Sequence, residues 1–225
     1  MTGTVKCRTA RLRAIETNDD LARGVRALRR NCAIMRKVHD ATGLPPLRLS
    51  QPGFAGLARI IIGQQLSVAS AAAIWTRCEA TISPMAAETI ARLDDETLKA
   101  AGLSRPKIRT LRALAGAVVD EGLDLEAMAD RSDGEIREAL LGVSGIGPWT
   151  ASLFLMFCLG RPDAFAPGDL ALQVAAQEAF GLDERPTADH LLTLSEPWRP
   201  WRGVAARLLW SYYGIIKRSK SGVPV

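Results

Sequence analysis

Aromatic residues make up only 5% of this 225-residue chain, and no segment alternates strictly between apolar and polar positions. Strands favour aromatic and β-branched side chains at a period of two, so the sequence argues against a sheet protein. Cysteine is scarce and scattered: Cys7, Cys32, Cys78 and Cys158 form no CxxC pair and no clustered ligand spacing. That excludes a disulfide framework and an iron-sulfur cluster as expectations, and reads as reduced thiols. The two histidines, His39 and His190, lie far apart and outside any HExxH pattern, so no zinc site is expected. No apolar run approaches the ~20 residues of a membrane-spanning helix; the longest candidate, residues 151–160, reads as a buried helix. Low-complexity linkers and repeats of fixed length are also missing. Residues 1–15 are basic but lack a continuous apolar core and a small-residue cleavage pattern, so a cytoplasmic protein is expected.

What is present is alanine, leucine and arginine in quantity, with 48% apolar residues. This composition predicts an all-α fold, either one domain or two small helical lobes, with enough chain for a real core. The net charge of +5 is unevenly spread. Residues 1–50 hold 11 Lys/Arg against 4 Asp/Glu, residues 51–197 hold 12 against 20, and residues 198–225 hold 6 against none. Basic ends around an acidic middle fit either a cationic face for phosphates or a soluble protein with basic tails.

Along the chain, residues 18–20 can start an amphipathic helix continuing through Leu21, Val25, Leu28, Ile34 and Val38 and stopping before Gly43. Residues 52–64 form the next helix, and Ser67 caps another to about Ala80. Two more span 95–101 and 104–119, with Lys107 and Arg109 placed as phosphate contacts. The stretch 132–180 is the most informative. Ser132 and Glu135 form a capping box for a short helix. Gly145, Gly147 and Pro148 then make a tight turn into a second helix from Trp149 to about Leu159. Such a hairpin leaves main-chain amides pointing one way at a helix N-terminus, which suits a phosphate without reading sequence. By itself a Gly-rich turn between packed helices is ordinary. A short polar loop, 160–168, leads to Asp169 at the head of a helix over 170–180. Asp169 is a natural N-cap, and it is also a carboxylate held ionised near a helix N-terminus. A polar loop and a final helix from Arg202 to about Ile216 complete the chain.

LLGVSGIGPWTA (140–151) followed at this distance by FAPGDLALQ (165–173) resembles the helix-hairpin-helix DNA glycosylases, whose hairpin precedes a loop carrying one catalytic aspartate. Within that superfamily, IIGQQLSVASAAAIW (61–75), GLSRPKIRTLRALA (102–115) and PWRPWRGVAARLLW (197–210) make the chain similar to DNA-3-methyladenine glycosylase II. The resemblance covers about residues 51–213.

It implies two helical lobes with the active site in the cleft between them: a central lobe over 47–163 and a discontinuous lobe of 18–46 plus 164–216, with basic tails 1–17 and 217–225. Too few residues precede the first helix for the N-terminal β domain some relatives carry. The resemblance makes Asp169 catalytic and puts Trp149, Trp210, Leu153 and Leu170 around the base. Relatives carry aromatics where Leu153 and Leu170 stand, so this pocket is less aromatic. Gln64 and Gln65 match the turn that probes the DNA stack, where Gln65 replaces an apolar wedge. Gly145, Gly147 and Thr150 match the DNA-backbone contacts, and the main-chain carbonyls of Leu141, Val143 and Gly145 match a monovalent-cation site. No other cofactor is implied. The implied partner is double-stranded DNA containing alkylated bases, met by a monomer, in the nucleoid if the source is a prokaryote.

Excising a base leaves oxocarbenium character on the sugar, which a nearby carboxylate stabilises. A base alkylated at a ring nitrogen is already cationic and leaves without a dedicated general acid. The lytic members of the superfamily place a lysine where Trp149 stands, and tryptophan cannot form a Schiff base. Hydrolysis is therefore the expected chemistry in base excision repair. A combined glycosylase and lyase, or a hairpin module that only tethers DNA, are the alternatives.

Overall fold

The computed structural model describes residues 13–220, and every regular element among them is helical. The first helix, α1 (Asn18–Asn31), starts within the expected residues 18–20. Thr17 is its cap: its hydroxyl accepts from Asp20 N–H (3.1 Å) and Asp20 accepts from Thr17 N–H (3.0 Å). The Thr17 hydroxyl also donates to Asp20 Oδ2 (2.7 Å), and this bond first, helped by the Glu16 and Thr17 N–H groups, holds the Asp20 carboxyl below its usual range. The expected single helix through Val38 is corrected at Cys32, where the backbone turns extended (φ −141°, ψ 113°) and its N–H closes on the Leu28 carbonyl (2.9 Å). The chain restarts as α2 (Ala33–Thr42), which packs on α1. A continuous helix would carry Met35 and Val38 beyond the core along its axis; the break lets both bury.

A first group of helices follows: α3 (Gly53–Gly63), α4 (Val68–Thr81), α5 (Ala87–Arg92), α6 (Asp95–Ala100), α7 (Arg105–Val119), α8 (Asp133–Leu141) and α9 (Pro148–Leu153). The expected capping box of Ser132 and Glu135 starts α8. Within this group α7 packs against α3, α5 and α6. Arg112 of α7 donates to the carbonyls of Ile90, Ala91 (3.1 Å) and Leu93, closing the end of α5 whose last carbonyls have no helical partner. Six residues give α5 too little periodicity to be read from sequence.

The helix after the hairpin does not stay α-helical to Leu159 as expected. It widens to a π turn at Phe154–Cys158, closed by Leu159 N–H on the Phe154 carbonyl five residues back (3.2 Å). Nor is the loop ahead of Asp169 simply polar. Ala164, Phe165 and Ala166 are buried, and Phe165 meets Trp198 edge-on (centroids 6.0 Å apart, planes at 82°). Asp163 anchors this loop by accepting from Arg202 (2.7 and 2.9 Å) and Arg199 (2.7 Å).

Beyond α10 (Leu170–Phe180) the chain turns at Gly181 (φ +64°) into a stretch expected to be loop. It contains α11 (Ala188–Ser195), capped by Thr187 and holding Leu191 in the core. The last helix, α12 (Arg202–Lys220), runs past the expected end at Ile216 and packs on α10, α2 and α1. Among the described residues no helix is long and apolar enough to cross a membrane. Cys7 and most of the two basic tails lie outside the described residues.

Candidate active site

The hairpin between α8 and α9 is closed by Val143 N–H on the Leu140 carbonyl and Ile146 N–H on the Val143 carbonyl, both 3.1 Å. Ile146 points into the core at 5% exposure. The two glycines beside it have different reasons to be glycine. Gly145 sits at φ +86°, and a Cβ there would meet the Thr110 hydroxyl at 2.0 Å. Gly147 caps α9 at φ −103°, an ordinary value, and a Cβ there would meet nothing within 4 Å. The amides of Gly145, Gly147 and Trp149 find no protein acceptor among the described residues, and all three residues line one cavity.

Asp169 caps α10, its Oδ1 accepting from Leu172 N–H (3.0 Å). Two indoles complete its surroundings: Trp149 Nε1–H donates to Oδ2 (2.7 Å) and Trp210 Nε1–H donates to Oδ1 (3.1 Å). Each carboxylate oxygen accepts about two bonds, so Oδ1 is filled and Oδ2 keeps one position open. No Lys or Arg is ion-paired with Asp169 among the described residues. The charge is held by dipoles and left uncancelled.

The cavity, about 830 Å³, joins these parts. Of the residues expected in the site, Gln64, Gln65, Gly145, Gly147, Trp149, Thr150, Asp169 and Leu170 line it. Leu170 is 56% exposed at its rim. Gln65 is exposed at φ +58°, an uncommon conformation for a residue with a side chain, at the tip of the α3–α4 turn. Gln64 instead points inward, its Nε2 donating to Thr150 Oγ1 (2.8 Å). Thr150 lines the cavity but is buried at 2% exposure, its hydroxyl taken up by Gln64.

Leu153 is not in the lining. At 8% exposure it faces the core, because it stands one turn past Trp149 and Thr150, where α9 is already covered. Trp210 is likewise outside the lining and reaches the site through its N–H. Its expected place as a wall falls to Tyr213, three residues on along the same face of α12. Leu66, Gly63, Gly168 and Ala171 also line the cavity. Only the helical spacing from Trp210 could have signalled Tyr213; the others border motif residues.

Lys107 already spends one of its three donors within the protein. Its ammonium donates to the Ile62 carbonyl (2.5 Å) at the end of α3, and burial pulls its pKa down. Arg109 is exposed. Four arginines of α1 and α2, Arg26, Arg29, Arg30 and Arg36, line a separate concavity of about 330 Å³ that shares no residue with the cleft. Among the described residues no cluster of three or more His, Cys, Asp or Glu could hold a metal. A cation in the hairpin would rest on carbonyls alone, and the Val143 carbonyl, already accepting from Ile146, has one lone pair left for it.

The chain is similar to known proteins. Mag2 of Schizosaccharomyces pombe, named an alkylbase DNA glycosidase-like protein, is 30% identical over 183 residues, covering 79% of this chain and 85% of its own length. YfjP of Bacillus subtilis is 36% identical over 123 residues, 55% of this chain, and the chain covers 43% of that longer protein. The solved structure of the Schizosaccharomyces pombe 3-methyladenine DNA glycosylase Mag1 in complex with abasic DNA superposes with a TM-score of 0.78 at 27% identity, covering 84% of this chain and 95% of the Mag1 chain. Residues 58–200, which span the α3–α4 turn, the hairpin and Asp169, match the family model described as HhH-GPD superfamily base excision DNA repair protein, and the chain belongs to that superfamily.

Proposed function

We propose that this protein is a monofunctional DNA glycosylase that hydrolyses the N-glycosidic bond of alkylated bases of the 3-methyladenine type in double-stranded DNA, the opening step of base excision repair. The observation that carries the reading is Asp169: an uncancelled carboxylate, oriented by two indole N–H groups, in a cavity whose other wall is the hairpin. The names of the relatives support the substrate class, and Mag1's complex with abasic DNA supports DNA as the partner.

A buried glycosidic bond is out of reach, so the nucleotide is extruded into the cavity. Main-chain amides at Gly145, Gly147 and Trp149 hold the phosphate backbone, and Gln65 enters the stack behind the departed base. The indole of Trp149 then favours a cationic base over a neutral one by about 0.5–2 kcal/mol. As the C1′–N bond lengthens, the base takes the bonding pair and the sugar becomes positive. Asp169 stabilises that charge through the field of its carboxylate. Water adds to C1′ and gives up a proton, with the open position on Asp169 Oδ2 available to orient it.

The lyase alternative loses ground on geometry. No lysine lines the cavity, and Lys107, the nearest in sequence, is tied to the Ile62 carbonyl. A tether alone would need neither the indoles nor the carboxylate. The lobe division at 47–163 against 18–46 with 164–216, monomeric action in the cytoplasm and a monovalent cation on the carbonyls of Leu141, Val143 and Gly145 complete the proposal. Methylated duplex DNA incubated with the protein tests it. Free 3-methyladenine should appear with an intact abasic strand that breaks only in alkali. Release of no base would overturn the enzyme, and a borohydride-trapped adduct on a lysine would convert it to a lyase.

A further inference from the structure

Trp210 controls Asp169 without lining the cavity, so something else must fix the angle of its ring. Phe157 covers that ring, with centroids 5.7 Å apart and planes at 29°. Phe157 is in turn held by Arg207, whose guanidinium carbon lies 4.7 Å from the phenyl centroid. Arg207 is 4% exposed and donates to the carbonyls of Met156 (3.1 Å), Leu47 (3.3 Å) and Gly203 (3.4 Å), which pins it to three segments of chain. Burial lowers its pKa to about 10, still charged at neutral pH. A stack therefore runs from the core through Arg207, Phe157 and Trp210 to the carboxylate.

Phe157 reaches this place because it lies inside the π turn at Phe154–Cys158. Each residue of a π turn advances less about the axis than the roughly 100° of an α-helix, and the difference builds up over the three steps from Phe154 to Phe157. On a regular helix Phe157 would face elsewhere and Trp210 would lose its support. The terminal torsion of an aspartate is broad, so the bond from Leu172 N–H locates Oδ1 but leaves the plane of the carboxylate loosely set. The two indole donors define that plane, and one of them is only as fixed as the ring it belongs to.

We propose that Phe157 is a positioning residue for base excision, delivered by the π turn, that acts on Asp169 by setting the orientation of Trp210. This rests on the reading of Asp169 as the catalytic carboxylate. Phe157 does not line the cavity, so its loss should slow the chemical step and leave binding alone.

The test is a double-mutant cycle in single-turnover release of 3-methyladenine from methylated duplex DNA, with affinity for abasic duplex measured alongside. Phe157→Leu keeps the volume and removes the flat ring, and it should lower the rate about tenfold with unchanged affinity. Phe157→Tyr keeps the ring and should restore the wild-type rate. In a Trp210→Phe background, where no N–H remains to be aimed, Phe157→Leu should cost nothing further. A wild-type rate for Phe157→Leu, or an equal loss in both backgrounds, overturns the proposal, the second because it would mark a general packing defect. Asp169→Asn in the same assay separates the two readings: if it releases base at the wild-type rate, the assignment of Asp169 itself has failed.

Discussion

The two walls of the cleft are built from different materials. The hairpin wall offers main chain: amides of Gly145, Gly147 and Trp149, with Ile146 turned inward as the bolt. The opposite wall offers one charged side chain, Asp169, whose position depends on three donors from α9, α10 and α12. A main-chain wall holds any sequence of DNA and fails only when the backbone is moved or blocked. A side-chain wall fails when one atom changes its chemistry. Trp149 belongs to both, lining the cavity from the hairpin while its N–H holds the carboxylate opposite.

The sharpest way to break the side-chain wall is Asp169→Asn. It should lower base release by about 10²–10³-fold, as removal of a preorganised electrostatic group does, with affinity for abasic duplex retained. The amide cannot accept at both oxygens, so one indole N–H or the Leu172 N–H faces a donor. Chemical denaturation should therefore record a loss of about 1–3 kcal/mol. Equal activity of the variant and the wild type would reduce Asp169 to a helix cap.

On the other wall, the two glycines should part company. Gly145→Ala places a methyl group against Thr110 at a left-handed φ and should lower stability by about 1–3 kcal/mol, visible as a fall in Tm. Gly147→Ala has open space and a permissive backbone, so its Tm should match wild type while its affinity for abasic DNA falls about tenfold for every sequence tried. If Gly147→Ala binds as tightly as wild type, the amides there do not approach phosphate. Trp149→Phe is the mildest probe, since it keeps a ring in the cavity and removes one hydrogen bond to Oδ2. The rate should fall several-fold, about 0.5–1.5 kcal/mol, and a fall as large as that of Asp169→Asn would merge the two walls into one.

The hairpin and Asp169 were legible in the sequence because each is announced locally. A capping box, glycines at fixed separation and an aspartate before an apolar helix need no knowledge of the rest of the fold. What escaped was set by distant contacts. The break at Cys32 follows from packing α2 back on α1, and nothing in the residues around Asn31 and Cys32 demands it. The helix at Ala188–Ser195 is short and flanked by charged residues, so its single buried leucine left no period to read. The π turn looks like any apolar helix until Trp210 is seen to lean on Phe157. The bond of Lys107 to the Ile62 carbonyl was hidden for the same reason, by their distance in sequence. Leu153 and Trp210 were assigned by resemblance to a wall that here is completed by Tyr213.

The bond from Gln64 to the buried hydroxyl of Thr150 ties the probing turn to the hairpin. Pulling the two apart would leave that hydroxyl unpartnered away from water, at a cost of about 1–3 kcal/mol, and α3 packs on α9 as well. On the proposed function the two would act as the jaws of a caliper, one on the sugar-phosphate rail and the other at a set reach above the base pairs. A well-stacked step would resist the second jaw and a weakened one would yield to it, so damage would be felt as a loss of stiffness before any base is seen.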